Sequence, residues 1–372
     1  MKDKILLSIA IPTYNRAPYL ENLLNNILPQ AIQSKERVEV CISNNGSTDN
    51  TREVVMNFKK KYPDLIQYNE NKKNLGSDRN ILKVMEMSRG DFVWLFGDDD
   101  SIILTGLKDV VSFIKKNCRE NIALISLKME SYFIDENGKK TIYYSSFESN
   151  KSSVFKINRE NIIDGNFPGC GFMTVLIFKN SFLKKLLEQE KELIEKAVGN
   201  EYIPWFLFRL MFLKFSNIEG ITFNKNIIVQ ELPYYKLYIE DKFRMHYVSK
   251  KRLNKLLLSS GYADDTIAKR FNKIEKKFRR DVVQHIILMK AFKTFFYSSY
   301  FGLLKKFFRQ ATLKNGLIIS FVFLVSSLTP SIVLQNILKV YFLLKYGKEW
   351  KNHWILCDTV HYKAAQLSGW RT

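Results

Sequence analysis

Cysteine and histidine are scarce in this sequence, with four of each among 372 residues. Cys41, Cys118, Cys170 and Cys357 share no paired spacing and the histidines form no ligand set. That excludes a disulfide framework and a structural zinc, and sets the expectation of a reduced protein in the cytoplasm. Long apolar runs are missing too: no segment reaches the roughly 18 uninterrupted apolar residues of a membrane-spanning helix. The run Ile5–Ile11, closed by Pro12, is too short for a secretion signal and reads as a first strand. Internal repeats and low-complexity tracts are also absent. Acidic residues become rare in the second half, where residues 236–351 carry 24 Lys and Arg against 7 Asp and Glu.

What is present is ample core material, 46% hydrophobic and 14% aromatic, which excludes global disorder. The length exceeds one typical domain and predicts a main domain over 1–235 with an appendage over 236–372. The formal charge of +21 is unevenly spread, only +3 over 1–235 and +17 over 236–351. The first part has an ordinary mixed surface and the second seeks an anionic partner.

From Leu6 to about Leu127, short apolar runs (Leu6–Ile11, Val38–Ser43, Ile66–Tyr68, Phe92–Phe96, Ile122–Leu127) alternate with helix-period stretches. Strands this apolar, spaced by helices, predict an α/β fold with a mostly parallel sheet covered on both faces. Polar turn chemistry falls where strands hand over to helices, at Thr13–Asn15, Asn44–Asp49 and Gly97–Ser101. In such sheets that is the carboxyl edge, where ligands bind. Beyond it, a hairpin is expected around Asp135–Lys140 with Asn137–Gly138 at its tip. A strand is expected at Met173–Phe178, with helices at Ser181–Ala197 and Tyr202–Phe215. Past Glu240 the chain reads as helical and basic.

Three consecutive carboxylates, Asp98–Asp99–Asp100, follow the strand Phe92–Phe96. Adjacent acids at a strand end repel one another, and a divalent cation resolves that repulsion, magnesium taking one or two carboxylates plus substrate phosphates. A solvated turn ahead of the next helix accounts for the same residues, so the neighbouring motifs decide. Those are Ile11–Pro12–Thr13–Tyr14–Asn15–Arg16, then Ser43–Asn44–Asn45–Gly46–Ser47–Thr48–Asp49, then Asn74–Leu75–Gly76–Ser77–Asp78–Arg79–Asn80.

In this order and spacing the four motifs resemble the family 2 glycosyltransferases, over roughly residues 5–215, and most nearly the abequosyltransferase-like branch that builds bacterial surface glycans. The resemblance implies the GT-A fold, a Rossmann-like mostly parallel sheet with helices on both faces, here followed by a basic helical C-terminal region. It implies a nucleotide-sugar donor bound by Pro12, Thr13, Tyr14, Asn44, Asn45, Arg79 and Asp98, and a divalent cation, Mg or Mn, at Asp99 and Asp100. Pro12–Tyr14 would lie against the nucleobase, Asp98 would meet the ribose, and Arg79 would clamp phosphate oxygens. Two departures stand out. Relatives usually carry an aspartate where Asn44–Asn45 stand, and an amide can donate as well as accept, which opens the choice of base. They also carry an aspartate where Gly97 stands, so the cation rests on the later acids.

An inverting transfer also needs a base to take the acceptor hydroxyl's proton. By the same resemblance the best match is Glu201, just before Pro204, at a helix start whose dipole favours an acid in any case. Gly169–Phe172 would line the acceptor side, and Phe172, Trp205, Tyr234 and Tyr235 are candidates for stacking on sugar rings. The acceptor implied is a saccharide or lipid-linked saccharide. The basic tail, with apolar positions such as Leu253, Leu257, Phe307 and Phe308, has the composition of helices lying on an anionic membrane surface. That places the protein at the inner face of the cell membrane; packing on the catalytic domain or a second subunit is the alternative. Three further readings compete, a basic nucleic-acid-binding protein, a sugar nucleotidyltransferase, and a catalytically dead scaffold of the same fold, against which the intact aspartate run argues. The charge lies away from the acids and no nucleic-acid motif is present, so no nucleic-acid partner is expected; the Gly-rich phosphate loop of a nucleotidyltransferase is not found.

Overall fold

The structure is a computed structural model that describes residues 4–34, 36–134, 140–145, 156–158, 173–199, 203–231, 250–261, 264–265, 268–269, 325 and 328–346. The elements of its N-terminal part alternate: β1 (Leu7–Thr13), α1 (Ala17–Ile32), β2 (Val38–Asn44), α2 (Thr51–Lys61), β3 (Ile66–Glu70), α3 (Ser77–Met87), β4 (Phe92–Leu95), β5 (Ser101–Ile102), α4 (Gly106–Asn117) and β6 (Ile122–Ile134). Next come β7 (Lys140–Ser145), β8 (Lys156–Ile157), a 3-10 turn at Met173–Val175 and β9 (Leu176–Lys179). The described remainder is α5 (Asn180–Gln189), α6 (Lys191–Ala197), α7 (Ile203–Lys214), β10 (Glu219–Glu231), α8 (Lys250–Ser259) and α9 (Ser331–Tyr346).

The sheet runs in the order β3-β2-β1-β4-β9-β6-β10-β5. Its first four strands are parallel, and the two central ones among them are covered on both faces: every residue of β2 is buried, and β1 is buried at all but Pro12. α1 buries Leu20, Leu23, Leu24, Ile27, Leu28 and Ala31, the i, i+3, i+4 stripe of an amphipathic helix, and packs against α2 and α4. α3 covers β1 and β2.

Beyond β4 the sheet departs from a simple parallel order. β6 is not the neighbour of β4; β9 inserts between them, antiparallel to both. β10 then pairs in parallel with β6. This thirteen-residue strand is not apparent in the sequence, because Asn224–Lys225–Asn226 interrupts its apolar pattern where its register against β6 shifts. The long helix expected over Ser181–Ala197 is two helices, broken at Glu190. Glu190 leaves helical geometry at φ −114°, and its carboxylate pairs with Lys214 of α7.

The chain divides into two compact units, Met1–Tyr132 with Tyr144–Glu231 and Leu253–Phe271, and Phe133–Tyr143 with Leu232–Arg252 and Asn272–Thr372. The acid, asparagine and α3 motifs all lie in the first. The expected tip at Asn137–Gly138 and most of the basic tail lie outside the described residues. Of that tail, α8 and α9 are described, in the part expected to be helical past Glu240. Among the described residues no helix is long and apolar enough to cross a membrane.

Candidate active site

The carboxyl ends of β1, β2 and β4 converge on one edge. After β1 the chain turns through Asn15, held left-handed at φ 52°, a conformation asparagine tolerates better than most residues. The Asn15 amide donates to Ser47 Oγ at 2.9 Å and its side-chain oxygen accepts from Thr48 N at 2.8 Å. α1 has no cap of its own; Asp49 supplies one from the β2 turn, accepting from Ala17 N at 3.1 Å. Burial alone would raise the Asp49 pKa, but hydrogen bonds from the Thr51 hydroxyl and the Ala17 and Thr51 amides bring it below its ordinary value. Gly46, at φ 71°, is obligatory here, since a Cβ would stand 2.7 Å from the Lys73 backbone.

The three aspartates after β4 take three different environments. Asp98 is buried, accepts from Thr13 Oγ1 at 2.8 Å and lies 2.8 Å from Arg16 Nε. Burial pushes its carboxyl up to about 6, against the opposing pull of Arg16 and Thr13. Asp99 is the open one, its side chain 41% exposed, with one oxygen 2.7 Å from Arg16 Nη2. Asp100 is buried and accepts from the Thr174 hydroxyl, and Thr174 Oγ1 in turn accepts from Gly97 N at 2.9 Å. The Thr174 carbonyl receives the Trp94 indole N–H at 2.7 Å. A Cβ on Gly97 would meet oxygens of Asp100 and Thr174 at 3.0 and 3.2 Å, so glycine here is the condition for that packing.

Behind the turn lies a network of amides. Asn45 is buried; its oxygen accepts from Leu75 N at 3.0 Å and Asn71 Nδ2 at 3.1 Å, and its nitrogen donates to Asn74 Oδ1 at 2.9 Å and the Gly76 carbonyl at 3.3 Å. Asn44 donates to the Tyr68 hydroxyl at 3.0 Å and accepts from Ser47 N at 3.0 Å. Asn80 of α3 donates to the Ser43 carbonyl at 2.8 Å and accepts from Ser43 Oγ at 2.8 Å. Both asparagine side chains singled out for base recognition are thus engaged within the protein, Asn44 tying the β2 turn to β3 and Asn45 tying it to the segment before α3.

The first turn of α3 reaches the other way. Asp78, buried, accepts from Gly199 N at 2.8 Å and Ile203 N at 3.3 Å, the amides on either side of the Asn200–Tyr202 segment. Arg79 forms a bidentate pair with Glu195 of α6, at 2.8 and 3.3 Å. Glu201, Phe172, Tyr234 and Tyr235 lie outside the described residues. Trp205 is buried, with the Arg209 guanidinium 4.0 Å over its ring.

Of the residues singled out in the sequence, the fold brings Thr13, Asp98 and Asp99 together, with Tyr14 exposed beside them and Pro12 pairing with Ser43 in the β1–β2 register. Asn44 and Asn45 support the same edge from behind, Arg79 is turned to Glu195, and Asp100 is turned to Thr174. Arg16, Asp78 and Thr174 were not singled out. Arg16 had a visible signal, a cation inside the first motif and acids in need of one. Thr174 had none, since its contact spans 74 residues of sequence.

Residues 8–186 match the family model described as Glycosyl transferase family 2. The abequosyltransferase RfbV of Salmonella typhimurium is 41% identical over 110 residues, 30% of this chain and 33% of that one. The GalNAc(5)-diNAcBac-PP-undecaprenol beta-1,3-glucosyltransferase of Campylobacter jejuni is 28% identical over 201 residues, 54% of this chain and 58% of that one. The aligned parts therefore span from a third to under three fifths of these relatives. Among solved structures, S. aureus TarS 1–349 superposes with a TM-score of 0.51 at 18% identity, over 98% of this chain and 92% of that one. The mannosyltransferase PcManGT of Pyrobaculum calidifontis, in complex with GDP-Man and Mn2+, does so with a TM-score of 0.50 at 13% identity, over 99% and 87%. The fold is that of the GT-A glycosyltransferases.

Proposed function

We propose that this chain, which belongs to glycosyl transferase family 2 through residues 8–186, moves a sugar from a nucleoside-diphosphate donor to a saccharide or lipid-linked saccharide in bacterial surface-glycan synthesis. The observation that carries the reading is the meeting of Thr13, Arg16, Asp98 and Asp99 at one sheet edge, from motifs 85 residues apart. The relatives support it: one is named for abequosyl transfer and another for glucosyl transfer to an undecaprenol-linked glycan.

In this reading the donor lies across the carboxyl edge. The base sits by the Pro12–Tyr14 turn, where the Asn44 and Asn45 side chains shape the floor and backbone groups read its edge. Asp98, ionised above about pH 6, accepts from the ribose. Asp99 fits a divalent cation as an exposed carboxylate beside a buried one. Among the described residues no group of three or more His, Cys, Asp or Glu side chains gathers for a metal, so phosphate oxygens would complete the shell. Asp99 would hold a Mg or Mn ion there, which would supply positive charge against that of the departing diphosphate. Asp100, turned inward to Thr174, orders the turn and is a ligand only through water. Arg79 exchanges Glu195 for the phosphates when the donor enters. Glu201 takes the acceptor proton in an inverting transfer, on a segment whose flanks Asp78 holds.

The basic appendage over 236–372 is proposed to rest peripherally on anionic lipid at the inner face of the membrane, where each basic residue contributes about 1 kcal/mol. α9 supports this by exposing Ile332, Ile337, Val340 and Leu344. Sedimentation with vesicles tests it: binding to phosphatidylglycerol vesicles and not to neutral ones is expected, and equal partitioning would remove the claim. For the enzyme, UDP-, CDP-, GDP- and dTDP-sugars with Mg or Mn are the test, read as slow release of nucleoside diphosphate. At least one donor should be cleaved; failure with all of them would refute the reading.

A further inference from the structure

We propose that Arg16 is the resident cation of the acid turn, and that by exchanging Asp99 for a diphosphate it makes divalent-cation binding depend on donor binding. The proposal rests on the reading of Asp99 as a cation ligand.

The geometry is that of one guanidinium serving two carboxylates. Arg16 Nε is 2.8 Å from Asp98 Oδ1 and Nη2 is 2.7 Å from Asp99 Oδ2. Burial opposes the Arg16 charge, and the two aspartates more than restore it, so its pKa stands above the ordinary value. The contact with Asp98 is close but not aligned: Arg16 Nε is a buried polar atom with no hydrogen-bond partner of proper angle. This is charge pairing that a better arrangement can replace. The Arg16 guanidinium carbon also lies 4.5 Å from the centre of the Tyr19 ring, itself exposed, which keeps the group at the rim of the edge. The side chain is 30% exposed, open enough to meet a ligand there.

Charge arithmetic then orders the events. A divalent cation approaching Asp99 alone meets a carboxylate already neutralised and a guanidinium that repels it. A diphosphate arriving alone is drawn by Arg16 but meets two aspartates. Together they give each charge a partner of opposite sign, because the planar fork of arginine pairs with phosphate as well as with carboxylate and Asp99 is released to the metal. Coupling of this kind is reciprocal, so cation and diphosphate each raise the other's affinity by the same factor, on the order of tenfold.

The test is binding of Mn2+ to the full chain, by electron paramagnetic resonance or calorimetry, alone and with UDP, CDP or GDP. The wild-type protein should bind Mn2+ weakly by itself and at least about tenfold more tightly with a nucleoside diphosphate. Arg16→Met should bind Mn2+ alone about tenfold more tightly than wild type and gain less from the nucleotide. Arg16→Lys, which keeps the charge without the fork, should fall between wild type and Arg16→Met, and Arg16→Gln replaces the methionine variant if the latter does not fold. Arg16→Met binding free Mn2+ no better than wild type, while both bind it with nucleotide, would overturn the proposal and leave Asp99 as a ligand. Mn2+ binding that is absent throughout, or unchanged in Asp99→Asn, would remove the cation reading of Asp99 and the proposal with it.

Discussion

Asp78 accepts a hydrogen bond from the backbone amide of Gly199 at 2.8 Å, linking the first turn of α3 to the chain just before Glu201. A second bond, from Ile203 N at 3.3 Å, fixes the far side of that segment and caps α7. Asp78→Ala leaves the buried Ile203 amide without this acceptor and frees the Gly199 amide, and should cost about 1–3 kcal/mol of stability. Transfer should fall further than donor hydrolysis does, because the flanks of the base segment are freed while Asp98 and Asp99 are untouched. Denaturant melts and paired assays of transfer and hydrolysis check this; equal loss of both activities would give Asp78 only a structural role.

Asn45 uses its nitrogen as a donor to Asn74 Oδ1 and the Gly76 carbonyl. Asn45→Asp, which would bring in the acid usual at this place in related enzymes, turns that nitrogen into a second acceptor facing two oxygens. Nucleotide affinity should drop about tenfold or more through loss of turn geometry, a cost of about 1.4 kcal/mol. Titration with nucleoside diphosphates reads it out; tighter binding would instead place a base N–H against this residue.

Glu39 belongs to the opposite edge of the sheet. Fully buried, it accepts from Ser8 Oγ at 2.7 Å and Arg89 Nη2 at 2.6 Å, and Ser8 Oγ accepts from Gly90 N at 2.8 Å. Glu39→Ala should destabilise by about 2–3 kcal/mol, through the buried hydroxyl left with a partner short. Turnover per folded molecule should stay at the wild-type level, as measured by specific activity of protein purified below its melting temperature. Loss of turnover in folded protein would tie this edge to the reaction.

Glu201→Gln removes the proposed base without changing shape. Transfer should fall by about 10²-fold or more while donor binding persists. Unchanged transfer would send the search for the base elsewhere.

The first half of the sheet was legible because β1, β2 and β4 are written as short, mainly apolar runs ending in polar turns. β10 was not, because its polar residues are partnered across space: Asn226 with Glu130 at 2.6 Å and Lys225 with Asp109 at 2.6 Å. β9 is four residues long, and its place between β4 and β6 is a pairing no local pattern encodes. In the site, Thr13, Asp98 and Asp99 could be picked out from their motifs. Which polar groups face inward could not: Asn44, Asn45 and Asp100 look like ligand groups until their partners are seen.

The account depends most on Asp99, the exposed member of the acid turn. The most direct measurement is metal-dependent release of nucleoside diphosphate from the sugar-nucleotide panel by wild type and Asp99→Ala, with circular dichroism to show that both are folded. The account predicts turnover by wild type only with Mg or Mn present, and none above background for the variant. Near-normal, metal-dependent turnover by Asp99→Ala would contradict it.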